Sequence, residues 1–364
     1  MNAAGARASS SPDSSGLPVA PSGTAARPPR RILGVVLFAL GIGALAAILR
    51  VVGWPAVAAN LAAIRWWFLA LILIHGATQL AFASGWKVLI GRRREGAIRF
   101  GGVFAAYLAG DSVNYFTTVG GEPLKAKLVA GKIGYPDAIA TLTVHRHAEV
   151  ASQGIFLALG IGITLTHYRV PSGIRIAAVG GMLLLAGLAL GMMFALRRGA
   201  VGGILARLAR FHALHRLQRF AQAAQRLDER IGEFYGSRLD RFLASLGWCF
   251  LGWCGGLVET YVVLRLLAPG EGWITAVAID SLALALNNAV LFIPARLGIA
   301  EGVRVGVFLL LGLSAAQGAA YGLARRAREL IWLVPGFVVL MKRHLLDLRR
   351  MHIAEPVLDE GSAG

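Results

Sequence analysis

Long apolar runs dominate this sequence, and they constrain its fold more than any other feature. The run ILGVVLFALGIGALAAILRVV begins at Ile32 and carries a single charged residue, and several comparable runs follow it. About 20 apolar residues are enough to cross the hydrocarbon core of a bilayer as a helix. Only 15% of the residues are charged, whereas soluble domains average about 25%. The sequence therefore predicts an all-α, polytopic membrane helix bundle.

The excess of basic residues lies mainly in the loops between the apolar runs. The net charge is +18, and the segment 197–241 alone carries ten arginines against four acids. Basic loops of this kind are typical of the cytoplasmic side, where they contact anionic lipid headgroups. The chain has no zinc-finger spacing and no separate basic domain. We therefore expect no nucleic-acid partner.

The composition divides the chain into a membrane region and two tails. Residues 1–30 are rich in Ala, Ser, Pro and Gly, which predicts a disordered cytoplasmic tail. Residues 31–345 form the predicted membrane domain, and 346–364 a cytoplasmic C-terminal tail. Within the basic loop 197–241, apolar residues recur at helical spacing over 204–220. This pattern predicts either an amphipathic helix on the membrane surface or a solvated connector.

Loop charge and run length together predict about six full spans and two hairpins. The predicted spans are 32–52, 66–86, 137–167, 172–196, 242–267 and 315–341. Two further regions, 99–134 and 273–314, must each start and end on one side, so each is a there-and-back hairpin. The two hairpins enter from opposite faces, as in an inverted repeat. The arm 122–134 is only about 20 Å long as a helix, which favours a turn within the membrane over a full crossing.

Tryptophans bracket the second predicted span. Trp66 and Trp67 lie at its start and Trp86 at its end. Tryptophan is enriched at both membrane–water interfaces, where its amphipathic ring lies among the headgroups. We therefore expect all three side chains to mark the two interfaces.

Both predicted hairpins carry an acid followed three residues later by a cation. The pairs are Glu122 with Lys125, in GGEPLK, and Glu301 with Arg304, in PARLGIAEGVR. This spacing places both members of a pair on one helical face. Broken segments at membrane depth must be buried in protein or line a watery cavity, and two of them entering from opposite faces indicate a transporter binding site. Packing corners with internally paired charges are the alternative.

The predicted span 137–167 also carries polar residues at depth. Its run HRHAEVASQ places His145, Glu149 and Gln153 on one face of a helix. His147 points away from His145, and the run is not an HExxH motif, so we predict no metal and no other cofactor. Polar contacts between helices are the alternative to a functional role for these residues.

The last apolar run contains an arginine cluster. Only 12 residues, 330–341, follow this cluster before the basic end of the run, and they span roughly 18 Å as a helix. That length cannot cross a bilayer, so Arg325, Arg326 and Arg328 must lie within the membrane. We expect Arg325 to pair with Glu329, which leaves Arg326 and Arg328 without a local acid. An unpaired arginine in a membrane cavity suits a phosphate or carboxylate group.

Three motifs resemble those of a known family. VGGEPLKAKLV, FIPARLGIAEGV with LLGLS after it, and ARRARELIWLVPG are similar to the flippase-like membrane region of lysylphosphatidylglycerol synthases, over residues 32–345. The run AEVASQGIFLALG further resembles the hopanoid-associated branch of that family. In multidomain relatives this region is linked to moving an aminoacylated phospholipid that a soluble transferase domain makes. The resemblance implies lipid translocation, or support for it, in the cytoplasmic (inner) membrane of a bacterium.

The leading hypothesis is a flippase-like transporter of an amphiphilic membrane lipid, a hopanoid or a phospholipid. The candidate substrate-binding residues are Glu122, Lys125, Glu149, Glu301, Arg304, Arg325, Arg326 and Arg328. The alternative is a non-transporting accessory that docks a lipid-biosynthesis enzyme through 204–220. We expect no enzyme activity, because the chain has neither a GxSxG nor an HExxH motif. Because only 23 residues follow Met341, we also expect no transferase domain.

The loop charges predict that both termini and the 197–241 loop are cytoplasmic. Single substitutions Ser237→Cys, Ala58→Cys and Glu271→Cys test this topology in a background without the two native cysteines. An impermeant thiol reagent applied to intact cells should label the cysteines at positions 58 and 271 and leave the one at 237 unlabelled. Labelling at position 237 from outside would show that the topology is inverted.

Overall fold

The structure is a computed structural model, and it describes residues 42–91, 98–117, 120–197, 227–232, 235, 237–289 and 298–354. These residues form helices joined by short turns and contain no strand. The principal helices are α1 (Ile42–Val52), α2 (Trp54–Ile64), α3 (Trp67–Ile90), α4 (Phe100–Thr117), α5 (Gly121–Ile133), α6 (Tyr135–His167), α7 (Ser172–Arg197), α8 (Leu239–Leu267), α9 (Trp273–Ala289), α10 (Ile299–Leu310) and α11 (Ala315–Ala354).

Four of these helices, α3, α6, α7 and α8, are long and apolar enough to cross a membrane. Helices α1 and α2 meet the same criterion together, as a pair bent by 95°. The bend lies at Gly53, whose φ of 90° suits glycine, and Pro55 follows in the first turn of α2. Helix α11 has 40 residues, about 60 Å of helix, and carries the arginine cluster in its first half. The predicted all-α polytopic bundle is confirmed.

Trp86 is a core residue, so its predicted place at an interface is wrong. Its side chain is fully buried, and its indole N–H donates to the Thr141 hydroxyl at 3.3 Å. Trp66 and Trp67 are exposed, as expected for interfacial residues. Helix α3 continues one turn beyond Trp86 and ends at Gly91, whose φ is 78°. Burial of the large ring against α6 outweighs the preference of tryptophan for an interface.

Both predicted hairpin regions consist of two helices, of which the second is short. In the first hairpin, α5 has 13 residues, about 20 Å of helix, and ends at Gly134 with a φ of 83°. In the second hairpin, α10 has 12 residues, about 18 Å. Both arms are shorter than the hydrocarbon core of a bilayer, which is about 30 Å thick. Residues 118–119 and 290–297, between the arms, lie outside the described residues.

Several predicted features lie partly or wholly outside the described residues. The tail 1–30 and the 204–220 segment are wholly outside, and the span at 32–52 is described only from Ile42 onward. The predicted boundary between the membrane domain and the C-terminal tail falls inside α11, because that helix continues to Ala354. The basic end of the last run is therefore helical up to that residue.

Two apolar clusters hold the helices together, and each contains one hairpin. The first cluster joins α4 and α5 to α3, α6 and α8 around Trp86. The second joins α9 and α10 to α6, α7, α8 and the start of α11, with Tyr321 and Phe308 among its fully buried side chains. The bundle therefore has two hydrophobic centres, and the long helices α6 and α8 contribute to both.

Glycines allow the first hairpin to pack closely on itself and on α11. The backbone N–H of Gly121 donates to the Asn114 side-chain oxygen at 2.8 Å, and a Cβ at Gly121 would overlap the carbonyl oxygen of Gly110. On the other side, Gly336 of α11 faces Ser112, whose hydroxyl donates to the Leu333 carbonyl oxygen at 3.2 Å. Pro335 precedes Gly336 inside α11. This packing holds α4 at a fixed position against α11.

The close approach of α4 and α5 predicts that Gly121→Ala destabilises the protein. The added methyl group overlaps backbone rather than a movable side chain, so we expect a loss of about 1–3 kcal/mol, as for other overpacked sites. Gly131→Ala in the same helix is the matched control, because a Cβ there meets no atom within 4 Å. That change should be neutral or slightly stabilising. Thermal melting in detergent measures both, and equal melting temperatures would contradict the packing described here.

Candidate functional site

Arg326 lies at the centre of a cluster of ionised groups that joins α11 to both hairpins. Its Nε and Nη2 lie 2.9 and 2.8 Å from Glu301 Oε1 on α10. Its Nη1 lies 3.3 Å from Glu329 Oε2, one turn further along α11. The same nitrogen donates to the hydroxyl of Tyr115 on α4. One guanidinium therefore connects the second arm of one hairpin with the first arm of the other.

Glu301 combines a local structural role with its contact to Arg326. It lies in the first turn of α10, and its Oε2 accepts a hydrogen bond from the Gly298 N–H at 2.8 Å. The φ of Gly298 is 75°, a conformation that favours glycine just before the helix. A carboxylate in the first turn also interacts favourably with the helix dipole. The predicted pair with Arg304 is present, with 3.8 Å between Nη1 and Oε1.

A second network of charges joins α11 to three other helices. Arg325 Nη1 lies 2.8 Å from Asp280 Oδ1 on α9. Arg328 Nε lies 3.0 Å from Glu259 Oε1 on α8, as an ion pair without hydrogen-bond geometry. The guanidinium of Arg328 also contacts His75 Nδ1 on α3. These contacts place two arginines and two carboxylates at the middle of the bundle.

The predicted pairing along α11 is wrong. Arg325 forms its ion pair with Asp280 of α9 rather than with Glu329. Glu329 pairs with Arg326 instead. Arg326 and Arg328 are not left without an acid, because Glu301 and Glu259 supply carboxylates from neighbouring helices. Spacing along one helix identifies only the partners on that helix. Tertiary packing provided stronger partners from α8, α9 and α10.

Sequence reasoning missed several residues of this site. Glu259 and Asp280 are acids within the apolar runs GLVETYVV and VAIDSLAL. Ionisable residues inside a membrane span are costly and are usually functional or paired, so both positions carried a usable signal. Tyr115 and His75 carried no such signal in the sequence, because an aromatic or histidine residue in an apolar run has many structural roles.

The first hairpin carries its own cluster, built on the predicted pair Glu122–Lys125. Lys125 Nζ lies 3.1 Å from Glu122 Oε1, and the same oxygen accepts a hydrogen bond from the Asn114 amide at 2.7 Å. The Lys125 ammonium also lies 4.3 Å from the centre of the Tyr107 ring, a cation–π contact. The buried lysine is therefore held in place on both sides.

Glu149 on α6 extends the cluster of the first hairpin. Its Oε1 accepts a hydrogen bond from the Tyr107 hydroxyl at 3.1 Å, and its Oε2 lies 2.7 Å from Arg146 Nη1. His145, predicted on the same helical face, lies with its Nε2 3.7 Å from Glu149 Oε1. His147 points away, as predicted, and its Nε2 lies 3.0 Å from the Ala189 carbonyl oxygen on α7. Sequence reasoning did not single out Arg146.

The structure gathers the eight predicted site residues into three groups. Glu122, Lys125 and Glu149 lie together beside the first hairpin. Glu301, Arg304 and Arg326 lie together beside the second, and Tyr115 connects this group to the first hairpin. Arg325 and Arg328 bind the carboxylates of α9 and α8. The positions of the three groups do not by themselves assign them to one substrate.

The fold and the site define a class of protein, a polytopic helical membrane protein with ion-paired polar clusters at two membrane hairpins. The chain belongs to the family of the lysylphosphatidylglycerol synthase TM region, whose profile matches residues 31–336. No curated protein and no solved structure matches the chain. The family match includes both hairpins and the arginine cluster, and it connects this membrane domain to lipid handling. The finer resemblance to the hopanoid-associated branch stays a prediction.

The central network predicts that Glu259→Gln strongly destabilises the protein. The change leaves the Arg328 side chain, which is 3% exposed, without its carboxylate. Breaking a buried ion pair in this way costs about 3–5 kcal/mol. Glu229→Gln, at an exposed carboxylate, is the control and should change stability by less than about 0.5 kcal/mol. Thermal melting in detergent checks both variants, and a stable Glu259→Gln protein would mean that Arg328 does not depend on Glu259.

Proposed function

We propose that this protein is a flippase-like lipid transporter that carries an amphiphilic lipid across the membrane. The headgroup passes the ion-paired clusters between the two hairpins, and the tail stays in the surrounding lipid. The proposal assigns no catalytic step. It also places the protein in the cytoplasmic membrane of a bacterium, with both termini and the basic loops on the cytoplasmic side, where anionic headgroups contact those loops.

The partial exposure of the clustered charges carries this proposal. The side chains of Glu122 and Glu329 are 24% and 27% exposed, although the sequence predicts both within the membrane. Ionised groups at this depth face water or a polar ligand rather than hydrocarbon. A purely structural ion pair has no need of an open side. The exposed area is therefore the surface that we assign to the headgroup.

An open apolar face of α11 follows the second cluster along the helix and is compatible with an amphiphilic substrate. It consists of Val334, Phe337, Val338, Leu340 and Met341. Phe116 of α4 lies beside it, because its ring centre is 6.2 Å from that of Phe337. Phe116 is adjacent in sequence to Tyr115, which binds Arg326. A polar cluster next to an apolar face suits a lipid, whose tail would lie along that face.

The paired state of the cations is compatible with movement of a headgroup. Each cation of the two hairpin pairs has an acid beside it, so the site without substrate leaves no buried charge uncompensated. A headgroup that enters can exchange places with one partner of a pair instead of creating a new pair from separated ions. The groups that change partner are then the ones that select the substrate.

The pair Glu122–Lys125 separates a transport site from a structural pair. The variants are Glu122→Gln, Lys125→Met and the double substitution, and Lys132→Met is the control, since Lys132 is exposed in the same helix. Each is measured for melting in detergent and for the distribution of lipids between the two leaflets in cells. Each single substitution should cost up to about 3–5 kcal/mol, because the Lys125 side chain is buried against Glu122, and the double substitution should recover much of that loss.

The double substitution decides between the two roles. If the cluster moves a headgroup, recovered stability should be accompanied by absent lipid movement. Recovery of both stability and lipid movement would overturn the transport-site proposal. A lipid that changes its leaflet, but not its total amount, when the gene is deleted identifies the substrate. Dependence on 204–220 together with tolerance of these substitutions would instead favour the accessory role.

A further inference from the structure

The two hairpins belong to two halves of one repeated pattern. In each half an acid–cation pair on the short second arm precedes an Arg-x-x-Glu pair on the following long helix. The four pairs are Glu122–Lys125 and Arg146–Glu149 in the first half, and Glu301–Arg304 and Arg326–Glu329 in the second. The cation of the arm and the arginine of the following Arg-x-x-Glu pair are 21 residues apart in the first half and 22 in the second. All four pairs are in contact in the structure.

The two arginines that correspond to each other also lie at the same distance along their helices. Arg146 follows the first residue of α6, Tyr135, by 11 positions, and Arg326 follows the first residue of α11, Ala315, by 11 positions. Both are therefore about 16 Å from the start of a helix. In the predicted topology α6 starts at the cytoplasmic face and α11 at the opposite face. The two arginines then lie at equal depths below opposite surfaces.

The two arginines differ in how far they are enclosed. The Arg326 side chain is 11% exposed and is held by Glu301, Glu329 and Tyr115. The Arg146 side chain is 56% exposed, and it lies against Glu149. In the first half the acid that corresponds to Glu301 is Glu122, and its carboxylate binds Asn114 and Lys125 instead. The second half is thus closed around its arginine, and the first half leaves its arginine open.

An open arginine at this depth needs a polar partner outside its own cluster. Exposure of a guanidinium to lipid tails is costly, so Arg146 faces water or a ligand. The carboxylates of Glu122 and Glu149 already accept hydrogen bonds from internal donors. The group presented outward is therefore the fork of N–H donors of Arg146, which binds phosphate through paired hydrogen bonds.

We propose that Arg146 forms a binding site for a phosphate group in the first half, the open counterpart of the closed site at Arg326. The proposal rests on the proposed transport function insofar as the phosphate belongs to the lipid that is moved. A soluble phosphate compound would present the same chemistry. Glu149 orients the guanidinium from one side, and the phosphate binds from the exposed side.

Native mass spectrometry in maltoside detergent tests the site with defined probes. The probes are phosphatidylglycerol, a galactolipid with the same acyl chains and no phosphate, and a cationic diacyl lipid without phosphate. The wild-type protein should bind phosphatidylglycerol at least about tenfold more tightly than either other lipid. Arg146→Gln should abolish this preference, and Arg146→Lys should retain part of it, because lysine keeps the charge without the fork. Arg175→Gln, at an exposed arginine in the first turn of α7, should leave the preference unchanged.

The outcomes separate this inference from the proposed function. Unchanged preference in Arg146→Gln, or wild-type preference for the cationic lipid, would overturn the phosphate site. Competition by excess glycerol phosphate assigns the site to a soluble phosphate, and the lack of competition assigns it to a lipid headgroup. If Arg146→Gln binds and moves phosphatidylglycerol as the wild type does, the site is wrong and transport stands. If the wild type moves no lipid but Arg146 still governs binding, transport is wrong and the site stands.

Discussion

The cost of an unpaired charge within the membrane is the constraint on which this structure depends. Helix α11 carries three arginines within about one turn, and in the predicted topology none of them can be left unpaired within the membrane. Glu301 of α10, Asp280 of α9 and Glu259 of α8 each provide a carboxylate. The position of α11 is thereby tied to three helices at once. The second hairpin is therefore held by ion pairs as well as by the apolar cluster around it.

The same constraint makes the polar clusters suitable for function. Ion pairs that neutralise one another can stay within the membrane without a ligand, and their exposed sides remain available to a polar headgroup. The two corresponding arginines differ in exposure. Arg146 is half-exposed beside Glu149, whereas Arg326 is enclosed by Glu301, Glu329 and Tyr115. Under the proposed transport function, the open and the enclosed arginine would be the two conditions that alternate when access changes sides.

How much could be predicted from the sequence depended on how local each interaction is. The helix class, the short arm of the first hairpin and the pairs Glu122–Lys125 and Glu301–Arg304 follow from hydropathy, turn residues and (i, i+3) spacing. The partners of Arg325 and Arg328 come from helices 45 or more residues earlier in the chain, and no spacing rule reaches so far. The predicted interfacial position of Trp86 was wrong for the same reason, since its burial depends on the packing of α3 against α6.

The proline in α11 has a mechanical consequence. Pro335 has no N–H to donate, so the helix lacks one backbone hydrogen bond just beyond the arginine cluster, and proline is a usual cause of helix kinks. Gly336, the next residue, is where α4 presses against α11 through Ser112. The missing hydrogen bond weakens α11 at its contact with the first hairpin. It separates the half that carries the arginines, which binds α8, α9 and α10 and, through Tyr115, α4, from the half that continues to Ala354.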